Sequence, residues 1–384
     1  MNIGFDAKRV VSNQTGLGNY GRTLVNDLAR LPLQLFLYAP DEGLPQLRES
    51  VSGHDNVRFC YPQQSTLQSF IPFASLRKSL WRSRGIVSDL QRDGIQVYHG
   101  LSGELPRGIR QSGVKSVVTI HDLIFLRHPE YYNWPDTRIY AAKFRRTLRE
   151  ADRIVAISEC TRRDIAHFGH IDPQRISVIY QNCAPRFDQQ PTAADLADVR
   201  NRYQLPEHYV LSVGTIEQRK NMLLAVKALH HLPAHVSIVM VGRATSYASQ
   251  ISSYAQANGL ADRVKMLHGV PDLHLPAIYA QADAFVYPSR YEGFGIPIVE
   301  AIRQRLPVAA CTGSCLEEAG GPHSLYTDPD DPEAMAHTLS QLLRGAPGRE
   351  QRIELSMQYI QRFDGHNAAQ QFMQLYQELA NEGV

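Results

Sequence analysis

A chain of 384 residues is too long for one ordinary core, and typical domain sizes make about two domains the expectation. Apolar residues at 43% and charged residues at 20% exclude a disordered chain, and a formal net charge of +2 excludes a general nucleic-acid binder, which needs a concentrated excess of Lys and Arg. Five scattered cysteines (Cys60, Cys160, Cys183, Cys311, Cys315) are odd in number and lack zinc-site spacing, which suits reduced thiols in a cytoplasm.

The charged segment from Met1 to Val11 reads as a first strand over Asn2 to Ala7, not as a signal peptide, and no later stretch approaches the ~18 apolar residues that would span a bilayer. Further short apolar runs follow at Gln34 to Ala39, Ile95 to Tyr98, Val114 to Ile120, Arg153 to Ile157 and Ile176 to Ile179, with helical segments between them. Alternation of this kind predicts a parallel sheet covered by helices.

Within this half, Gly16, Gly18 and Gly21 spell GxGxxG, with Asp41 after the next strand. Alone this would suggest a dinucleotide-binding dehydrogenase, but eight residues separate Ala7 from Gly16, whereas that motif follows its strand almost at once. The segment 68–84 mixes Phe70, Ile71, Phe73, Leu76, Leu80 and Trp81 with Arg77, Lys78, Arg82 and Arg84. It fits either the surface of an anionic membrane, at the inner face, or a half-buried helix. His121 and Asp122 follow the strand Val114 to Ile120, where parallel sheets gather ligands, although a lone His is more often structural. Ser158 suits a helix cap.

Gln181 to Pro206 is rich in Pro and polar residues and reads as a linker. The pattern then restarts at Tyr209 to Gly214, Val236 to Val241, Val264 to Leu267, Ala284 to Tyr287 and Pro307 to Ala310, giving a second α/β domain. After its first strand, VLSVGTIEQRKN sets Arg219 and Lys220 at the start of a helix, where cations and the positive helix end converge on an anion. Read without that context, such a pair is a solvated surface.

The stretch YPSRYEGFGIPIVEAIR is the most informative. Pro297 suits the first turn of a helix starting near Ile296, and Gly293, Phe294 and Gly295 precede it where a backbone can cradle a diphosphate. Glu292 and Glu300 flank this anion site, and carboxylates there make sense if they face the hydroxyls of a sugar and a ribose. Asp328, Asp330 and Asp331 could be a metal-binding DxD, but the Pro-rich context TDPDDPEAM favours helix capping, and no metal site is expected. Phe372, Leu375, Tyr376 and Leu379 give the last helix one apolar face.

The EGFG-x-P-x-x-E-A stretch with its Glu-x7-Glu pair resembles the retaining glycosyltransferases of family 4, over nearly the whole chain. The resemblance implies the GT-B fold: two Rossmann-like, doubly wound domains facing a cleft. It assigns 1–185 to an acceptor-side domain, 186–362 to a nucleotide-sugar domain and 363–384 to a helix crossing back to the first. It implies that Glu292 contacts donor-sugar hydroxyls, Glu300 binds the ribose and the amides of Gly293, Phe294, Gly295 and Ile296 hold the phosphates. Arg219 and Lys220 would stabilise the leaving diphosphate, His121 would lie against the donor sugar, and the loop of Gly16 and Gly18 would close over donor and acceptor. The sequence departs from the family at Thr215, where many relatives have Arg after the first Gly, and at Asn182-Cys183, usually Asn-Gly.

These features point to a cytoplasmic glycosyltransferase moving a hexose with retention, mannose from GDP-mannose being the donor favoured by resemblance to bacterial polysaccharide mannosyltransferases. The acceptor would be a glycan or lipid-linked hydroxyl, and the nucleotide sugar is a co-substrate, with no further cofactor. A nucleotide-sugar 2-epimerase of the same fold and a non-catalytic sensor are the alternatives.

Overall fold

The computed structural model describes residues 1–62 and 74–382. The chain divides into two compact units, one of Met1–Asn182 with Phe363–Val384 and the other of Cys183–Arg362. The break at Cys183 lies slightly before the boundary drawn from the Pro-rich composition.

The first unit is built on a seven-stranded sheet in the order β3-β2-β1-β4-β5-β6-β7, every pair parallel. Its strands are β1 (Asn2–Asp6), β2 (Gln34–Tyr38), β3 (Val57–Cys60), β4 (Val97–Gly100), β5 (Lys115–Ile120), β6 (Arg153–Ala156) and β7 (Ile176–Val178). The second unit has six parallel strands ordered β10-β9-β8-β11-β12-β13. These are β8 (Tyr209–Val213), β9 (Ser237–Val241), β10 (Val264–Leu267), β11 (Ala284–Tyr287), β12 (Val308–Cys311) and β13 (Leu325–Thr327). In both sheets the winding reverses beside the first strand, at β1/β4 and at β8/β11. Ligands of such sheets bind outside the carboxyl ends of the strands at that reversal.

Two of the sequence features change meaning here. A short helix, Lys8–Ser12, fills the gap between β1 and the helix Gly16–Ala29. Gly18 is required for packing, since a Cβ there would stand 1.8 Å from the Asn13 carbonyl oxygen. Of the basic-aromatic stretch 68–84, residues 68–73 lie outside the described residues. In the rest, Trp81 is buried and its Nε1 donates to Asp89 at 2.7 Å, while Arg82 pairs with Asp6 at 2.6 Å and Glu104 at 2.8 Å. Leu76 and Leu80 remain exposed. No described helix is long and apolar enough to cross a membrane.

The last helix, Gly365–Asn381, buries Phe372, Leu375, Tyr376 and Leu379 in the core of the first unit, beside Leu24, Leu28 and Val97. Full burial of each such side chain is worth about 1.5–3 kcal/mol, which ties the last helix to a sheet from which the 180 residues of Cys183–Arg362 separate it in the chain. A polar bond fixes the docking. The fully buried His99 contacts the Tyr376 hydroxyl at 2.7 Å through Nδ1 and the Thr119 hydroxyl at 2.8 Å through Nε2. Burial, with His121 nearby, pushes its pKa down to about 3, so the ring stays neutral and needs both partners.

Tyr376→Phe should leave Nδ1 unsatisfied and destabilise the first unit by about 1–3 kcal/mol. Urea unfolding followed by the fluorescence of buried Trp81 measures this, and an unchanged midpoint would show the hydroxyl to be idle.

Candidate active site

The reversal in the second sheet brings two loops together. Register pairs Val210 with Ala284 and Leu211 with Phe285, so β8 and β11 end side by side. After β8, Gly214 adopts φ +146, and across from it Gly242 can carry no side chain, because a Cβ would meet the Gly214 oxygen at 1.9 Å. The chain then enters a 3-10 turn, Gln218–Lys220, and passes through Asn221 at φ 54 into the helix Met222–Ala228. Asn tolerates the left-handed region, and its Nδ2 donates to the Pro329 carbonyl at 2.8 Å, locking the turn that presents Arg219 and Lys220.

After β11, the loop runs to Gly295, whose φ of +112 precedes the helix Ile296–Arg303 with its early Pro. Gly293, Phe294 and Gly295 are buried. The Cys315 thiol donates to the carbonyls of Glu292 and Phe294 at 3.1 and 2.9 Å, holding the loop from behind.

Glu292 joins the two loops. Its Oε1 lies 2.8 Å from an Arg219 guanidinium nitrogen and 2.6 Å from Lys220 Nζ. Arg219 also pairs with Glu217 at 2.7 Å and donates to the Tyr291 carbonyl at 2.7 Å, while Lys220 donates to the Tyr287 hydroxyl at 2.6 Å. Burial alone would raise the Glu292 carboxyl, but Lys220 and Arg219 outweigh it and bring its pKa down to about 2. Burial alone would likewise lower both cations, and Glu292 outweighs it, so both are held above their ordinary ranges. All three groups are therefore charged at neutral pH. The Glu292 carboxylate, expected against sugar hydroxyls, faces the two cations in this structure.

Glu300 is buried on the inner side of the helix Ile296–Arg303 and accepts a hydrogen bond from the Tyr279 hydroxyl at 2.9 Å. Burial raises its pKa to about 7, against the opposing pull of Arg186 and the Tyr279 bond. Glu217, Tyr287, Tyr279 and Arg186 were missed from sequence. Tyr287 alone was within reach, because it ends β11 at the ligand edge.

In the first unit, His121 is half-buried and its Nε2 lies 2.8 Å from the Leu101 carbonyl. A carbonyl only accepts, so Nε2 carries the proton. Burial outweighs the Leu101 bond and lowers the His121 pKa to about 4, leaving Nδ1 as the acceptor, 3.4 Å from Gln181 Nε2. The Tyr20 ring meets His121 edge-on at 4.6 Å. Asp122 accepts from the Ile124 amide at 3.2 Å as a local turn, and Ser158 caps its helix by accepting from the Thr161 amide at 2.9 Å. Gly16 is the first residue of its helix, with open space where a side chain would project.

The aspartate trio is committed elsewhere. Asp331 caps the helix Pro332–Ser340, Asp330 pairs with Arg290, and Asp328 accepts from the Asp330 amide at 2.8 Å. Among the described residues no group of three or more His, Cys, Asp or Glu could hold a metal ion.

Comparison with known proteins agrees with this layout. The family model "Glycosyltransferase Family 4" matches residues 15–181, and "Glycosyl transferases group 1" matches residues 198–358. The chain is 27% identical to O-antigen chain mannosyltransferase B of Escherichia coli over 99% of this chain and all of that protein. Sucrose-phosphate synthase of Thermosynechococcus elongatus has a similar structure, with TM-score 0.78 and 20% identity over 99% of both chains. Anabaena HepE, solved with UDP and glucose, aligns with TM-score 0.73 and 18% identity over 98% of this chain and all of that one. The fold is GT-B.

A carboxyl raised to about 7 binds its proton more tightly in the folded protein than in the unfolded chain, where the pKa is about 4.3. Its contribution to stability is full below the unfolded value and is lost as pH climbs through about 7. Glu300→Gln should remove this, so the stability difference between variant and wild type should grow by about 2–3 kcal/mol from pH 5 to pH 8. Parallel denaturation curves at the two pH values would contradict the shift.

Proposed function

The chain belongs to the family 4 glycosyltransferases, and we propose that it moves mannose from GDP-mannose onto a glycan or lipid-linked hydroxyl acceptor, with retention and without a metal ion. The single observation that carries this reading is the convergence of Arg219 and Lys220 on one carboxylate oxygen at the winding reversal of the second sheet. Two charged cations held there suit a diphosphate better than any neutral ligand.

Transfer breaks the bond between the anomeric carbon and the diphosphate oxygen, and that bond's electron pair leaves with the diphosphate. The acceptor oxygen forms the new glycosidic bond and its proton passes to the departing phosphate. Arg219, Lys220 and the amides of residues 293–296 are fixed before the reaction, so they stabilise the developing charge without reorganising. The diphosphate would replace Glu292 as partner of the two cations, which frees that carboxylate for the sugar hydroxyls. Glu300, accepting from the ribose hydroxyls, would bind the part of the donor that does not react. His121 would accept from a donor-sugar hydroxyl through Nδ1, since its Nε2 proton is held by Leu101. Gly16 and Gly18 begin the segment that would cover the donor. Relatives named for O-antigen mannosyl transfer support the sugar and the polysaccharide acceptor. The five cysteines, all free thiols, suit the cytoplasm, with any lipid contact through 68–84 at its inner membrane face.

Transfer from GDP-mannose in EDTA tests the whole reading. Wild type should retain most of its activity, and Lys220→Ala should lose about 100-fold or more in kcat with a smaller loss in nucleotide affinity. Activity abolished by EDTA and restored by Mg²⁺ or Mn²⁺, or full turnover in Lys220→Ala, would contradict it.

A further inference from the structure

The Glu300 carboxylate is met by a phenol to which the chemistry above gives no role. Tyr279 lies on the helix Leu275–Gln281, between β10 and β11, and is fully buried. Its ring is held on two sides: Phe187 meets it edge-on with centroids 5.5 Å apart, and Phe285 of β11 lies against it at 5.4 Å, tilted by 30°. The helix is tied to the sheet one residue earlier, where the Tyr209 hydroxyl of β8 donates to the Ile278 carbonyl at 2.5 Å. Packed in this way, the Tyr279 ring carries its hydroxyl to Glu300 Oε2, at 2.9 Å.

A buried hydroxyl needs a partner, and a backbone carbonyl would serve, as Ile278 serves Tyr209. Pairing with a carboxylate has a further effect. Burial, with Glu300 beside it, holds the phenol far above the ordinary tyrosine range, so it stays protonated and able to donate. Burial also lifts the Glu300 carboxyl to about 7, at the edge of ionisation; Arg186 and the Tyr279 bond pull it down and Asp272 pushes it up. Arg186 and Asp272 pair with each other at 3.1 Å, so their effects on Glu300 oppose. Among the described residues Tyr279 is the one side chain that donates to Glu300, and Oε1 accepts from none. A donor on one oxygen favours the charged form, fixes the rotation of the carboxylate and leaves the other oxygen as an acceptor.

We propose that Tyr279 is a positioning residue for nucleotide recognition: by donating to Oε2 it holds Glu300 with Oε1 ready to accept from the ribose hydroxyls of the donor, and so sets the preference for a ribonucleotide. It rests on the reading of Glu300 as the ribose partner. An acceptor already held by a rigid neighbour gives up little freedom when its ligand binds. A site built to bond a hydroxyl also rejects the analogue that lacks it, because the buried acceptor is then left unpaired. Tyr279, with no exposed surface of its own, acts on the ligand only through Glu300.

Calorimetry with the full-length protein tests this. GDP, UDP and ADP are titrated, and the tightest binder is compared with its dideoxyribose analogue, which lacks both ribose hydroxyls. Wild type should bind the ribonucleotide about 10- to 100-fold more tightly, the worth of a hydrogen bond to a charged group. Glu300→Ala should bring that ratio near one. Tyr279→Phe should reduce it to about threefold or less, while the dideoxy analogue binds about as it does to wild type. Tyr287→Phe, whose lost hydroxyl meets Lys220 instead, should keep the wild-type ratio. No binding of any nucleotide, no preference in wild type, or a preference that survives Glu300→Ala would remove the ribose reading and the proposal with it. A ratio that collapses in Glu300→Ala but keeps its wild-type value in Tyr279→Phe would overturn the proposal alone. So would an equal loss of both nucleotides in Tyr279→Phe, the mark of a purely structural role, or a collapse of the ratio in Tyr287→Phe.

Discussion

Two cations sharing one carboxylate govern the second unit. A charge taken from water must be paired, and the penalty for an unpaired one is several kcal/mol. Arg219 and Lys220 come from the loop after β8 and Glu292 from the loop after β11, so satisfying that demand fixes both loops at once. The glycine at φ +146, the left-handed Asn221 and the Cys315 thiol that holds the second loop all serve the same geometry. With Glu217 on Arg219 the cluster is neutral as a whole, so a diphosphate bound as proposed would take the place of carboxylate charge. The two cations are therefore held in place by ion pairs, which is the condition under which, in the proposed reaction, they would stabilise developing charge at little cost in reorganisation.

The first unit solves its polar problems with neutral groups. His99 and His121 are both held far below the usual histidine range, chiefly by burial, and each is oriented by hydroxyl, carbonyl or amide partners. The chain from Tyr376 through His99 and Thr119 to Tyr20 ends on the ring that packs against His121. Docking of the C-terminal helix and placement of His121 are thus parts of one buried network. An uncharged imidazole can hydrogen-bond neutral groups through Nδ1 without attracting an anion.

Much of the fold was legible because parallel strands buried on both faces read as short runs of Val, Ile and Leu, as in Val114 to Ile120 and Val236 to Val241. The strands β3 and β13 escaped notice for a physical reason. Val57–Cys60 is a half-buried edge with an exposed Arg58, and Leu325–Thr327 is three residues long, so neither shows a continuous apolar run. Arg219, Lys220, Glu292 and Glu300 stand out in the sequence by type and position, but their partnerships do not. Nothing in local spacing reports that Glu292 turns to Arg219, some seventy positions away in the chain, or that Tyr279 reaches Glu300 from another helix. The aspartates of TDPDDPEAM were readable because capping is a local event.

On the proposed reading, Arg219 and Lys220 are held by Glu292 until a diphosphate takes its place. A crystal structure of the protein with GDP measures this directly. Nitrogen atoms of both cations should lie about 3 Å from β-phosphate oxygens, with the Glu292 carboxylate parted from them. Density for GDP elsewhere, with Glu292 still bridging Arg219 and Lys220, would contradict it.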